Sequence, residues 1–204
     1  MDLLLVRHAE PVRIAPGESD GAPVDPELTA TGHHQAARLG AWLAAEPVDH
    51  VVSSPLRRAT ETAAPIAAAH GLTVEILPGL REYDADADHY IPVAELRETN
   101  DERWRAMIEG RWQDYGGEAP ERFRARIVPT IDALIDTHPG ETVVAVCHGG
   151  VINVYLGALL GLEHHLWFDP AYTSLSRVRA ARGGPRSLAS LNETGHLLGE
   201  RRTP

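Results

Sequence analysis

Short apolar runs alternate with helical periodicities along this chain. "LLLV" at 3–6 and "TVVAVC" at 142–147 are almost unbroken apolar stretches, as suits strands covered on both faces of a parallel sheet. "HVVSS" at 50–54 and "LTVEIL" at 72–77 are shorter runs of the same kind. Between them, "LTATGHHQAARLGAWLAAE" sets Ala36, Leu39, Gly40 and Leu43 on one helical face, with Thr29 as its cap. Helices are predicted over 56–69, near 93–112, near 118–137, and behind the second long run at "VINVYLGALLG". "SLSRVRA" and "SLASLNE" read as two closing strands joined by the turn "ARGGPR". Strands separated by helices imply right-handed crossovers. The expected architecture is one α/β domain over 1–204, a three-layer α/β/α sandwich with a mostly parallel central sheet. Segment 83–120 is its most irregular insertion and the candidate for a lid over a site.

Both long runs end at a histidine, His8 in "LLLVRHAE" and His148 in "VVAVCHGG". Parallel strands bring their carboxyl ends to one edge, where ligands bind in open α/β sheets. Gly149 and Gly150 open the helix after His148, so free backbone amides there favour an anion. A third run leads into "SPLRRATETA", with Arg57 and Arg58 in a first helical turn, where cations are disfavoured unless an anion sits between them and the amides. A fourth leads to Glu82 in "LREYD". Each residue alone reads as a surface polar group. Together at one edge they suit phosphoryl transfer, with a neutral imidazole as nucleophile, guanidinium groups around the transferring oxygens and a protonated carboxyl at the leaving group.

Composition narrows the partners. The chain has 204 residues, 43% hydrophobic and 24% charged, ordinary for one globular domain. Its net charge of -10 excludes general nucleic-acid binding. All 19 basic residues are arginine, so attraction for an anion has to come from a local cluster working against the global field. No apolar stretch approaches the length of a bilayer span, and "MDLLLV" is too short for a signal peptide. With a single cysteine, Cys147, the expectation is a cytoplasmic protein acting on a small phosphorylated substrate, as a monomer or homodimer, with no membrane or nucleic-acid partner.

These segments resemble the histidine phosphatase superfamily, the phosphoglycerate mutase-like proteins. "LLLVRHAEP" is similar to the family's opening Arg-His-Gly motif. "DPELTATGHHQA", "SSPLRRATETA", "LREYD", "GGEAPERFRARI", "VCHGGVI" and "LNETGHL" follow in family order over nearly the whole chain. The resemblance implies that His8 is the phosphorylated nucleophile and that Arg7 and Arg58 line the phosphate pocket. His148 then contacts the phosphoryl group, assisted by the Gly149 amide, and Glu82 is the proton donor. It implies a three-layer sandwich with a mixed sheet. No metal or other cofactor is expected, because the arginines supply the positive charge.

Some positions depart from the family pattern. Ala9 stands where the family has glycine, so an ordinary backbone is expected there. Pro11 replaces a common threonine, "YDADADHY" replaces an "F-G", and Asn153 replaces a frequent arginine, which implies one substrate contact fewer.

Rival readings are weaker. A cysteine phosphatase needs C-x5-R, and six residues after Cys147 stands Asn153; a small buried hydrophobe fits better. "DADADHYIPVAE" spaces Asp84, Asp86, Asp88 and Glu95 like a calcium loop but has His89 for the turn glycine, so an acidic surface loop is expected. The pairs His33 with His34 and His164 with His165 lack metal spacing. Within the family, the length and the lack of a long tail favour a phosphatase over a mutase. Arg97, Arg103, Arg105 and Arg111 are the candidates for a second acidic group, or else solvated helix faces. A non-catalytic phospho-ligand sensor is the alternative from another class.

Overall fold

The computed structural model describes residues 1–181 and 184–198. Strands β1 (Asp2–Arg7), β2 (His50–Ser53), β3 (Val74–Ile76), β4 (Thr142–Cys147), β5 (Leu175–Ala180) and β6 (Arg186–Glu193) form one sheet in the order β3-β2-β4-β1-β5-β6. The pairs β3–β2, β2–β4 and β4–β1 are parallel, and β1–β5 and β5–β6 antiparallel. The sheet is therefore mixed, parallel through the half that carries the candidate chemistry. Residues 182 and 183 of the expected closing turn lie outside the described residues.

The unbroken apolar runs have a simple cause: both faces of the sheet are covered. Leu3, Leu5, Val143 and Ala145 pack against Phe123 and Ile127 of α5 (Pro120–Thr137) and Ile152 of α6 (Gly149–Leu160). The alternate residues Leu4, Val6, Val144 and Val146 pack against α1 (Ala30–Leu43) and α2 (Arg57–His70) through Leu39, Leu43, Ala63 and Ile66. Successive side chains point to opposite faces, so each strand feeds both cores.

One expected helix is corrected. The stretch near 93–112 is two short helices, α3 (Val93–Glu98) and α4 (Glu102–Ile108), followed by a 3-10 turn at Trp112–Tyr115. Asn100 adopts a left-handed φ of 51°, which ends α3, and Asp101 caps α4 by accepting from the Arg103 N–H at 2.9 Å. The other long helix runs close to expectation, from Pro120 at its first turn to Thr137. No helix among the described residues is long and apolar enough to cross a membrane.

Candidate active site

The register of the two central strands assembles the site. Arg7 lies opposite Cys147 in the parallel β1–β4 pair, and the His8 N–H donates to the Cys147 carbonyl at 2.9 Å. The next residues, His8 and His148, therefore emerge side by side, with ring centroids 5.1 Å apart. Thr62 of α2 fixes the chain just beyond, its hydroxyl accepting from the Ala9 N–H at 2.9 Å. Ala9 has an ordinary φ, as expected, and its carbonyl accepts from His8 Nδ1 at 2.7 Å. That bond puts the ring proton on Nδ1 and leaves Nε2 with its lone pair. Burial, then the charges of Arg58 and Arg7, hold the His8 pKa well below the usual imidazole range, so the ring is neutral near pH 7.

Three further residues of the motif "LTATGHHQ" serve this loop from beneath. Thr29 caps α1 by accepting from the Gly32 N–H at 2.9 Å. Gln35 Oε1 accepts from the Glu10 N–H at 3.0 Å. A β-carbon at Gly32 would stand 2.1 Å from the Glu10 carbonyl oxygen, so only glycine lets α1 approach so closely.

Arg7 and Arg58 are buried, 6% and 2% exposed. Arg7 lies over the Tyr172 ring at 4.2 Å, and Arg58 lies over Tyr90 at 4.9 Å. Arg7 Nη1 donates to the Pro170 carbonyl, and Asp169 stands 3.6 Å from it. Arg58 Nη2 reaches Asp84 at 3.4 Å. The Nε atoms of both arginines and Nδ1 of His148 are buried without a hydrogen-bond partner. Buried donors in that state favour a ligand that accepts from them. Arg57 faces outward, pairing with Glu27 at 2.5 Å and Glu61 at 2.7 Å. The anion expected at the start of α2 is the protein's own Asp25, whose carboxylate accepts from the Arg57 N–H at 2.8 Å.

Glu82 arrives from the turn after β3, held from α5 by Arg126, which donates to the carbonyls of Gly79 at 2.7 Å and Arg81 at 3.1 Å. Its carboxyl accepts from the Gly150 N–H at 2.8 Å and the Tyr83 N–H at 3.1 Å. Those bonds favour the carboxylate, yet burial and the nearby Asp84 outweigh them and push the pKa up to about 7. A β-carbon at Gly150 would sit 2.4 Å from Glu82 Oε1, so the second glycine of "HGG" makes room for the acid. His148 is fully buried; its Nε2 shares a 2.7 Å hydrogen bond with Ser54 Oγ, and burial again lowers its pKa.

Arg7, His8, Arg58, Glu82, Gly149 and Gly150 line a cavity of about 380 Å³, with His148 behind His8 rather than on the wall. Cys147 faces the α5–α6 core, and burial raises its thiol pKa, which suits the small hydrophobe expected. Asp84, Asp86 and Asp88 turn to Arg58, Arg81 and His89 respectively. Among the described residues, donor atoms converge closely enough for a cation only at His50, His138 and Glu141, at the opposite edge of the sheet.

Several residues that build the site carried no role in the sequence reading: Ser54, Thr62, Tyr90, Arg126, Asp169 and Tyr172. Asn153 is reassigned. Its amide donates to the carbonyls of Gly149 and Phe168, at 2.9 and 3.0 Å, and its Oδ1 accepts from the N–H groups of Trp167 and Phe168. It pins segment 166–170 to α6 as part of the cavity wall.

A sequence profile described as Histidine phosphatase superfamily (branch 1) matches residues 3–194. Phosphoserine phosphatase 1 of Hydrogenobacter thermophilus is 32% identical over 201 residues, 96% of this chain and 93% of that protein. Phosphoglycerate mutase-like protein 4 of Arabidopsis thaliana is 34% identical over 158 residues, 74% of this chain and 68% of that protein. Among solved structures, a mycobacterial glucosyl-3-phosphoglycerate phosphatase has a TM-score of 0.73 at 24% identity, covering 95% of this chain and 99% of that one, a likeness of fold.

Proposed function

The chain belongs to branch 1 of the histidine phosphatase superfamily, and from that membership we propose that it hydrolyses phosphomonoesters through a phosphohistidine formed on His8. The observation that supports this most is one wall carrying a neutral imidazole, two buried guanidinium groups with unpartnered Nε atoms and a carboxyl whose pKa is pushed up to about 7.

In the first step His8 Nε2 attacks phosphorus in line with the ester bond. Arg7 and Arg58 hold the equatorial oxygens, the Gly149 amide stabilises their charge, the buried His148 beside His8 supports it from off the wall, and Glu82 protonates the departing alcohol. Glu82, now a carboxylate, takes a proton from the water that attacks the phosphohistidine; orthophosphate leaves and His8 is neutral again. All of these groups come from one chain, which suits a monomer or a homodimer whose partner is not needed at the site. The single buried Cys147 suits a cytoplasmic enzyme.

A hydrolase is favoured over a mutase because two of the arginines considered for a second acidic group are already engaged: Arg97 with Asp169 and Arg103 with Asp101. Arg105 and Arg111 lie off the cavity wall. Rapid-quench mass spectrometry during turnover tests the reading. The expected result is a phosphoryl adduct on the peptide carrying His8, and phosphate release that His8→Ala abolishes. Turnover with no adduct, or turnover that survives the substitution, overturns it. Transfer between acceptors without release makes the chain a mutase.

A further inference from the structure

Beyond the phosphate end, the cavity wall comes from segments 83–117 and 166–170, and its make-up is unusual for this chain. The sequence holds only eleven aromatic residues, 4 Trp, 5 Tyr and 2 Phe, yet seven of them line this one cavity, including three of the four tryptophans. Trp104, Tyr115, Trp167 and Phe168 are only partly buried, as are Met107 and the half-exposed Ile108 beside them. Large apolar side chains left partly uncovered around a concave space mark a binding surface for apolar groups.

The basic side chains on this part of the wall are committed. Arg97 pairs with Asp169 at 3.3 Å, Arg103 forks onto Asp101 at 2.6 and 2.9 Å, and His89 turns to Asp88 at 2.8 Å. A second anionic group on a substrate, such as a carboxylate, would find its positive partners already neutralised, in a chain of net charge -10.

Resting on the phosphohistidine reading, we propose that the substrates are phosphomonoesters of bulky apolar alcohols, with the alkyl or aryl portion packed among Trp104, Met107, Tyr115, Trp167 and Phe168. The phosphoryl group is held at the Arg7–Arg58 end. Specificity then comes from burying apolar surface rather than from pairing a second charge.

A straight-chain alkyl phosphate series from ethyl to octyl tests this, because the leaving alcohols have nearly constant basicity while apolar area grows. The expected kcat/KM rises about fourfold per added methylene until the cavity is filled. It exceeds that for 3-phosphoglycerate by roughly a hundredfold at the long end. Trp104→Ala flattens the rise, and so does Met107→Asp, which sets a carboxylate among the rings; melting curves confirm that both variants fold. A flat series, or 3-phosphoglycerate turned over as well as octyl phosphate, overturns the assignment while leaving the phosphatase reading standing. Phosphate released from none of the esters, or release that survives His8→Ala, overturns that reading and this assignment with it.

Discussion

Glu82 is pulled two ways, and the balance is what suits it to the acid role proposed for it. Two backbone amides donate to its oxygens, while burial and Asp84 penalise its charge and leave the pKa at about 7. Because the proposed first step needs that proton, kcat/KM with alkyl phosphates is expected to fall as pH rises through about 7, and to fall on the acid side well below the usual imidazole range, where His8 gains a proton. Glu82→Gln cannot donate. The expected loss is about 10²–10⁴-fold on alkyl phosphates and much smaller on an activated aryl phosphate, whose leaving group needs no proton. Equal losses on both take Glu82 out of the acid role. Ser54 acts through another residue, since its hydroxyl holds His148 Nε2. Ser54→Ala leaves that buried ring without its partner and lowers kcat about tenfold with KM little changed, while Ser54→Thr restores it. A loss seen only in melting temperature assigns Ser54 to stability alone.

The elements explain why some of the site could be read from sequence and some could not. His8 and His148 were visible because each follows an apolar run, and two buried parallel strands in register leave little freedom in where their ends fall. Thr29, Gly32, Gln35 and Thr62 belong to motifs quoted from the sequence, yet their work is mechanical: they fix the height of the loop 9–10 against α1 and α2. Tyr90, Asp169 and Tyr172 sit in loops with no periodicity, and they become neighbours of Arg7 and Arg58 only through the tertiary fold. The helix expected near 93–112 failed for a local reason, since Asn100 and Asp101 stop one helix and cap the next within two residues. The support role of α1 has a direct test. Gly32→Ala forces a methyl group against the Glu10 carbonyl, costing about 1–3 kcal/mol. Any displacement of Glu10 also moves the Ala9 carbonyl that fixes the His8 ring, so kcat falls together with melting temperature. An unchanged kcat in a destabilised Gly32→Ala protein separates α1 from the proposed nucleophile, His8.

For the whole molecule, the site is a source of pH-dependent instability, with opposite signs from its two kinds of group. His8 and His148 have depressed pKa values in the folded chain, so stability falls as pH drops below about 6.5 and the unfolded chain takes up protons the folded site refuses. Glu82 has a raised one. Its contribution is fully present below the ordinary carboxyl pKa of 4.5 and is lost as pH rises through about 7, where the folded chain must bury a charge. Glu82→Gln isolates the second effect. The side-chain amide meets the Gly150 and Tyr83 N–H groups with one acceptor oxygen instead of two, a penalty that does not change with pH and cancels on comparing one pH with another. What survives the subtraction is the pH dependence that the Glu82 carboxyl brings to its charged surroundings. Between pH 5 and pH 8 the stability of Glu82→Gln relative to the native chain gains about 2–3 kcal/mol. That is a relative swing of roughly 4–12 °C in melting temperature for a chain of this size. A constant difference across that range means that Glu82 titrates in the folded chain as an ordinary carboxyl, and the proton for the leaving alcohol then has to come from another group.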